Sequence, residues 1–130
     1  MAQNSRQSSG ADIDPITFSV VWNKLEFLTA QIGEKILYST QSFVTALARD
    51  LGQTILDARG KIVVAATAAP IHTLVAEEAI KGLEATFHGD YQTGDFIVAN
   101  DPYIVRGGHL PDWNFIRPMF FEGEHLGFLQ

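Results

Sequence analysis

A long amphipathic run with its own start signal constrains this sequence most. Asp14 can cap free helix N–H groups, and Pro15 at the first helical position loses nothing by lacking its own N–H. Ile16, Val20, Leu25, Leu28, Ile32 and Ile36 follow at spacings of three to five, which holds them on one helical face. The helix is expected to run to about Ser39. It is long for a chain of 130 residues, for which one core is the natural expectation.

The remaining pattern alternates short strands with one further helix. Residues 40–49 carry no decisive period. Leu51 to Leu56 and Lys61 to Ala66 read as the arms of a hairpin, with Asp57-Ala58-Arg59-Gly60 as its turn and Gly60 in a left-handed position. Pro70 and Thr73 bracket a second helix start. Its apolar stripe is Leu74, Ala79, Ile80, Leu83 and Phe87, and it is expected to end near His88-Gly89. Phe96 to Ala99 is a short apolar strand, Asn100 to Asp112 a loop, and Asn114 to Phe121 and His125 to Leu129 two more strands. The fold class expected is α+β: a long N-terminal helix, a β-hairpin, a second helix and further strands of a mixed sheet. Met1 to Ile13, rich in Ser, Gln, Asn and Gly, reads as a disordered leader. Residues 14–130 read as the folded portion. The last strand ends with no polar tail, and an apolar unpaired sheet edge is an aggregation liability. The chain is therefore expected to be a fragment of a larger fold or to be completed by a partner.

Composition narrows the chemistry. With 15 Asp and Glu against 9 Lys and Arg, the formal net charge is -6, which argues against a general nucleic-acid binder. The absence of cysteine removes disulfides, thiolate metal sites and thiol nucleophiles, so a metal would have to be held by His, Asp or Glu. It also fits a cytoplasmic protein. No apolar stretch is long enough to cross a bilayer.

The densest polar cluster is Asn100-Asp101-Pro102, followed by Arg106-Gly107-Gly108-His109-Leu110-Pro111-Asp112. It follows directly on a strand, where sites are commonly built. Imidazole and carboxylate three residues apart suit a divalent ion such as manganese or zinc, although most such pairs are ordinary loop residues with the Asp capping a turn. Gly107-Gly108 admits close approach of a ligand or simply makes a turn. Arg106 is an anion ligand or a solvated loop residue. His72 stands before the second helix, where it either meets an anion or packs as a cap. Asp50 opens the hairpin and reads first as a cap or turn residue.

Taken together, these segments resemble the N-terminal part of the hydantoinase B / 5-oxoprolinase family. The resemblance rests on Asp14-Pro15, Asp50 with the Asp57–Gly60 tip, Pro70-Ile71-His72, Gly94-Asp95, Asn100-Asp101-Pro102-Tyr103 and Gly108-His109-Leu110-Pro111-Asp112, in that order. It implies one subunit of a hetero-oligomer. A hydantoinase A-like partner would use ATP with Mg to phosphorylate a small ketone or cyclic amide, and the B-type subunit would complete carboxylation or hydrolysis. It also implies a divalent metal held by Asp50, His109 and Asp112, with His72, Asp101, Arg106, Gly107 and Gly108 near the substrate. The segment Pro118 to Leu126 is similar to the ketone carboxylases, acetone and acetophenone carboxylase among them. Alternatives are the cyclic-amide hydrolases and a non-catalytic assembly module.

Overall fold

A computed structural model describes residues 13–67 and 69–130. The expected leader therefore lies outside the described residues, apart from the exposed Ile13. Helix α1 spans Pro15–Ser39, with the Asp14 carboxylate accepting from Thr17 N at 2.9 Å. A short helix α2, Phe43–Ala48, occupies the stretch without a decisive period and is capped by Ser42. The hairpin is β1, Gly52–Asp57, and β2, Ile62–Thr67. Gly60 takes the expected left-handed conformation, with φ 71°. The second helix is broken into α3, Pro70–Leu74, and α4, Ala76–Phe87, with Val75 between them. His88 caps α4 in a left-handed conformation. The final strands are β3, Ile97–Ala99, β4, Asn114–Phe121, and β5, Glu124–Leu129.

The five strands form one sheet in the order β2-β1-β5-β4-β3, and every pairing is antiparallel. This corrects the expected mixed sheet. The two hairpins close on each other through β5, so no parallel crossover is needed. The apolar last strand is likewise not an edge. It lies at the centre of the sheet, between β1 and β4. Its residues Gly127 and Phe128 are buried because strands flank them on both sides. The edges are β2 and β3; in β3, expected as a fully apolar strand, Val98 is exposed.

Leu56, Ile116 and Phe128 project from one face of the sheet onto Ala76, Ile80 and Leu83 of α4, and these six residues form the core. Helix α1 lies against β1 and β2. Its contact face differs from the expected stripe. Ile16, Val20, Leu28 and Ile36 are exposed, whereas Thr29 and Gly33 are buried and Leu25, Ile32 and Leu37 half-buried. Small residues win this face because the helix sits directly over the Gln53 side chain: a Cβ at Gly33 would overlap Gln53 Oε1.

Two positions fix this architecture. Gly127, with φ 148°, allows β5 to approach β1: a Cβ there would overlap the Leu56 carbonyl oxygen and sit 2.8 Å from the Asp57 carbonyl carbon. Both obstacles are backbone and cannot rotate away. Gly127→Ala is expected to cost about 3 kcal/mol of stability by denaturant unfolding, from strain and overpacking together. In the β1–β2 turn, Asp57 Oδ1 accepts from Lys61 N at 2.8 Å and Arg59 N at 2.9 Å. The Lys61 N–H, followed by the Arg59 contacts, holds the Asp57 carboxyl below its ordinary value against the opposing effect of burial. Because the folded-state value is lowered, this stabilisation is present above about pH 4 and lost as pH falls through the depressed folded value. Asp57→Ala is expected to lose about 1 kcal/mol near neutral pH. In urea titrations the gap between variant and parent should close in acid.

Candidate functional site

The loop after β3 is fastened at several points. Asn100 Nδ2 donates to the Leu110 carbonyl at 2.9 Å, tying the loop's two ends together. Asp101 Oδ1 accepts from Tyr103 N at 2.8 Å and Ile104 N at 3.3 Å. Its carbonyl accepts from Ile104 N and Val105 N. The Asp101 side chain therefore builds the turn. Val105 is fully buried and anchors the loop, while Arg106 beside it adopts a left-handed conformation with φ 56° and is exposed. Helix α4 admits the loop at Gly82, where a Cβ would overlap the Ile104 carbonyl oxygen and stand 2.8 Å from its carbon.

At the loop's end, His109 and Asp112 meet as their spacing suggested. His109 Nδ1 is 3.3 Å from Asp112 Oδ1, and Gly108 N donates to Asp112 Oδ2 at 3.1 Å. The Asp112 side chain is largely sheltered, at 18% exposure, whereas His109 is 68% exposed. The carboxylate thus stands beside one ring nitrogen of a largely exposed imidazole. A carboxylate on one ring nitrogen favours the tautomer that leaves the other free to ligate or to exchange a proton. Gly107 and Gly108 lie over Asp112: a Cβ on either would stand about 3.5 Å from that side chain, an ordinary contact.

A second pair is less visible in sequence. His72, inside α3 rather than before a helix, places Nε2 2.8 Å from Asp50 Oδ1 across 22 residues. Gly52 makes this possible, because a Cβ there would press on the His72 Cβ at 3.0 Å. Among the described residues no three His, Asp or Glu side chains converge. Asp50, His109 and Asp112 therefore stand as members of two separate pairs. Their imidazole and carboxylate donors are of the right chemical kind for a borderline divalent ion, but two donors fall short of a four-coordinate shell.

Sequence reading passed over a third group. Between α1 and the hairpin lies an open groove of about 190 Å³, lined among others by Gly33, Glu34, Arg49, Gln53 and Thr67. Arg49, in a left-handed conformation next to Asp50, pairs with Glu34 of α1. A polar Gln53 in the expected first arm of the hairpin was the one available signal.

Residues 14–130 match the family described as Hydantoinase B/oxoprolinase. A putative B-type subunit of a D-/L-hydantoinase from Pseudomonas sp. (strain NS671) is 30% identical over 120 residues, covering 89% of this chain and 20% of the relative. The 5-oxoprolinase of Dictyostelium discoideum is 27% identical over 118 residues, covering 91% of this chain and 9% of the relative. Among solved structures, a nucleotide-free acetone carboxylase, from work on the mechanism of ATP-dependent acetone carboxylation, superposes with a TM-score of 0.79 at 24% identity. That match covers 89% of this chain and 16% of the other. The chain thus spans a fifth or less of the length of these proteins. No helix among the described residues is long and apolar enough to cross a membrane.

The contact at Gly82 carries a prediction. An exposed helical Gly→Ala change ordinarily gains up to about 1 kcal/mol. Here the added methyl must displace the Ile104 backbone, at a cost of about 1–3 kcal/mol. Gly82→Ala is therefore expected to lose stability, and its amide resonance changes should extend along the loop to His109.

Proposed function

Because the chain belongs to the hydantoinase B/oxoprolinase family, we propose that it is the N-terminal segment of a B-type subunit that completes an ATP-dependent reaction at a small activated carbonyl compound. The observation that carries this reading is the His109–Asp112 pair, held at the end of a fastened loop with the imidazole largely exposed. In this reading a hydantoinase A-like partner subunit supplies ATP and Mg, and the hetero-oligomer works in the cytoplasm, where ATP is at hand. The preferred reaction is carboxylation of a ketone such as acetone or acetophenone. The Pro118–Leu126 segment and the fold shared with acetone carboxylase support it. The names of the relatives, a hydantoinase subunit and a 5-oxoprolinase, favour cyclic-amide hydrolysis as the second reading.

The residues divide their roles by geometry. Asp112 fixes the orientation of His109 through Nδ1 and is itself fixed by the Gly108 N–H. The His109 ring is largely exposed, and its Nε2 can ligate an ion or hold a proton. Asp50 orients His72 in the same manner. Asp101 shapes the loop, and Arg106, exposed at its left-handed bend, offers positive charge beside the glycines. A divalent manganese or zinc ion at His109 and Asp112 would supply stabilisation of negative charge on a reacting oxygen, while Asp50 is engaged with His72 in the other pair. Ligands beyond the pairs seen in this chain would complete its shell.

His109→Ala and Asp112→Ala, placed in the full B-type subunit assembled with its ATP-binding partner, are each expected to lower turnover at least about a hundredfold, the scale of losing a positioned catalytic group. Each should also lower the metal content found by elemental analysis. Equal metal and equal turnover in variant and parent would remove the pair from the site. Incorporation of labelled bicarbonate against release of a ring-opened acid separates the two reactions.

A further inference from the structure

Helix α1 holds the hairpin with its second half alone. Leu25, Thr29, Ile32, Gly33 and Leu37 are buried or half-buried, whereas every residue from Pro15 to Lys24 is exposed. That first half is apolar on all sides, with Ile16, Phe18, Val20, Val21 and Trp22, and it carries no charged residue between Asp14 and Lys24. A helix that is apolar all round is ordinarily a buried one. Ile16, Val20, Asn23 and Phe27 follow one another at spacings of four, three and four. At about 100° per residue they lie on the side of α1 opposite the buried Thr29. This alternation is the seam of a helix pair. All four residues are exposed, Ile16 at 74% and Phe27 at 61%. The seam stops at Glu34, further along the same side, which Arg49 already engages.

We infer that a second copy of this chain docks on this seam, α1 against α1, about a two-fold axis that passes near Asn23. Three features select a copy as the occupant. The seam's single polar side chain is an amide, with both donors and an acceptor, so Asn23 and the partner's Asn23 satisfy each other. A lone polar group of this kind in an apolar seam sets register and pairing. The area is also of the right size. Ile16, Phe18, Val20, Val21, Phe27 and Leu28 are each roughly half exposed or more. Side chains of that size offer about 600 Å² per copy, against the about 800 Å² per partner of a standard interface, the rest being its polar rim. Finally, the seam holds no charge, so the net charge of -6 on each copy is kept out of the contact. The inference goes beyond the reaction proposed for the His109–Asp112 pair and does not rest on it.

The test uses the 130-residue chain by itself. Sedimentation velocity at ~100 µM protein should give one species of twice the chain mass, because an interface of standard size binds in the micromolar range or tighter. Phe27→Glu should weaken association at least about a hundredfold, since each copy would bring an uncompensated carboxylate into the seam. Its urea midpoint should match that of the parent at dilutions where the parent is monomeric, because Phe27 is exposed in the single copy. Leu74→Glu, at a position of α3 that is also exposed and apolar, should leave the dimer intact. The chain has no cysteine of its own. Asn23→Cys should therefore form a disulfide-linked dimer on mild oxidation far faster than Leu74→Cys. A monomeric parent at the same concentration would overturn the proposal and leave the seam to another stretch of polypeptide. Dimers untouched by Phe27→Glu, equal cross-linking of the two cysteine variants, or a continuum of larger aggregates would overturn it as well, because association would then run through another face. None of these outcomes bears on the metal and turnover measurements on His109 and Asp112.

Discussion

The close approach of β5 to β1 at Gly127 is the contact on which the rest of the structure depends. Without it the β1–β2 hairpin would be an isolated two-stranded ribbon, too slight to be stable alone, and β3, β4 and β5 a separate three-stranded sheet. With it they become one antiparallel sheet whose central strand carries Phe128 into the core. The chain's last residue continues the seam: Thr54 N donates to the Gln130 carbonyl and Gln130 N to the Thr54 carbonyl, both at 2.9 Å. The Gln130 side chain then reaches Asn114 at the start of β4. Once the sheet is joined, α4 has a continuous apolar face to cover, and the loop that leaves β3 is pressed against α4 at Gly82. The His109–Asp112 pair is thus positioned by a chain of contacts that starts at a glycine in a different strand.

Much of the fold was legible because it rests on local rules. Asp14-Pro15 set the start of α1, Gly60 the tip of the first hairpin, and Ala79, Ile80 and Leu83 the buried stripe of α4. The contact face of α1 was misread because hydrophobic periodicity assumes that large residues face inward. Here the helix approaches a buried Gln53, and Thr29 and Gly33 take the inner face instead. The place of β5 was misread for a related reason. An apolar strand at the end of a chain looks like an edge when only its neighbours in sequence are considered, and the pairing with β1 joins Leu56 to Phe128, far apart in sequence.

The candidate site divides in the same way. His109 and Asp112 lie three residues apart in one loop, so their meeting follows from spacing and a turn. The Asp50–His72 pair requires β1 and α3 to pack together, with Gly52 making room. The family resemblance carried by Asn100–Tyr103 and Gly108–Asp112 agrees with the family match over residues 14–130. The loops that carry that resemblance are themselves held by side-chain to backbone hydrogen bonds, such as Asn100 to Leu110 and Gly108 to Asp112.

Amide hydrogen exchange on the 130-residue chain tests the central role of β5 most directly. If β5 joins the two hairpins, the amides of Thr54, Phe128 and Gln130 should exchange only by global unfolding, with protection equal to that of the α4 core, while Val98 in edge strand β3 exchanges far faster. Exchange of the β5 amides as fast as that of β3 would contradict the account, because the sheet would then open at its centre.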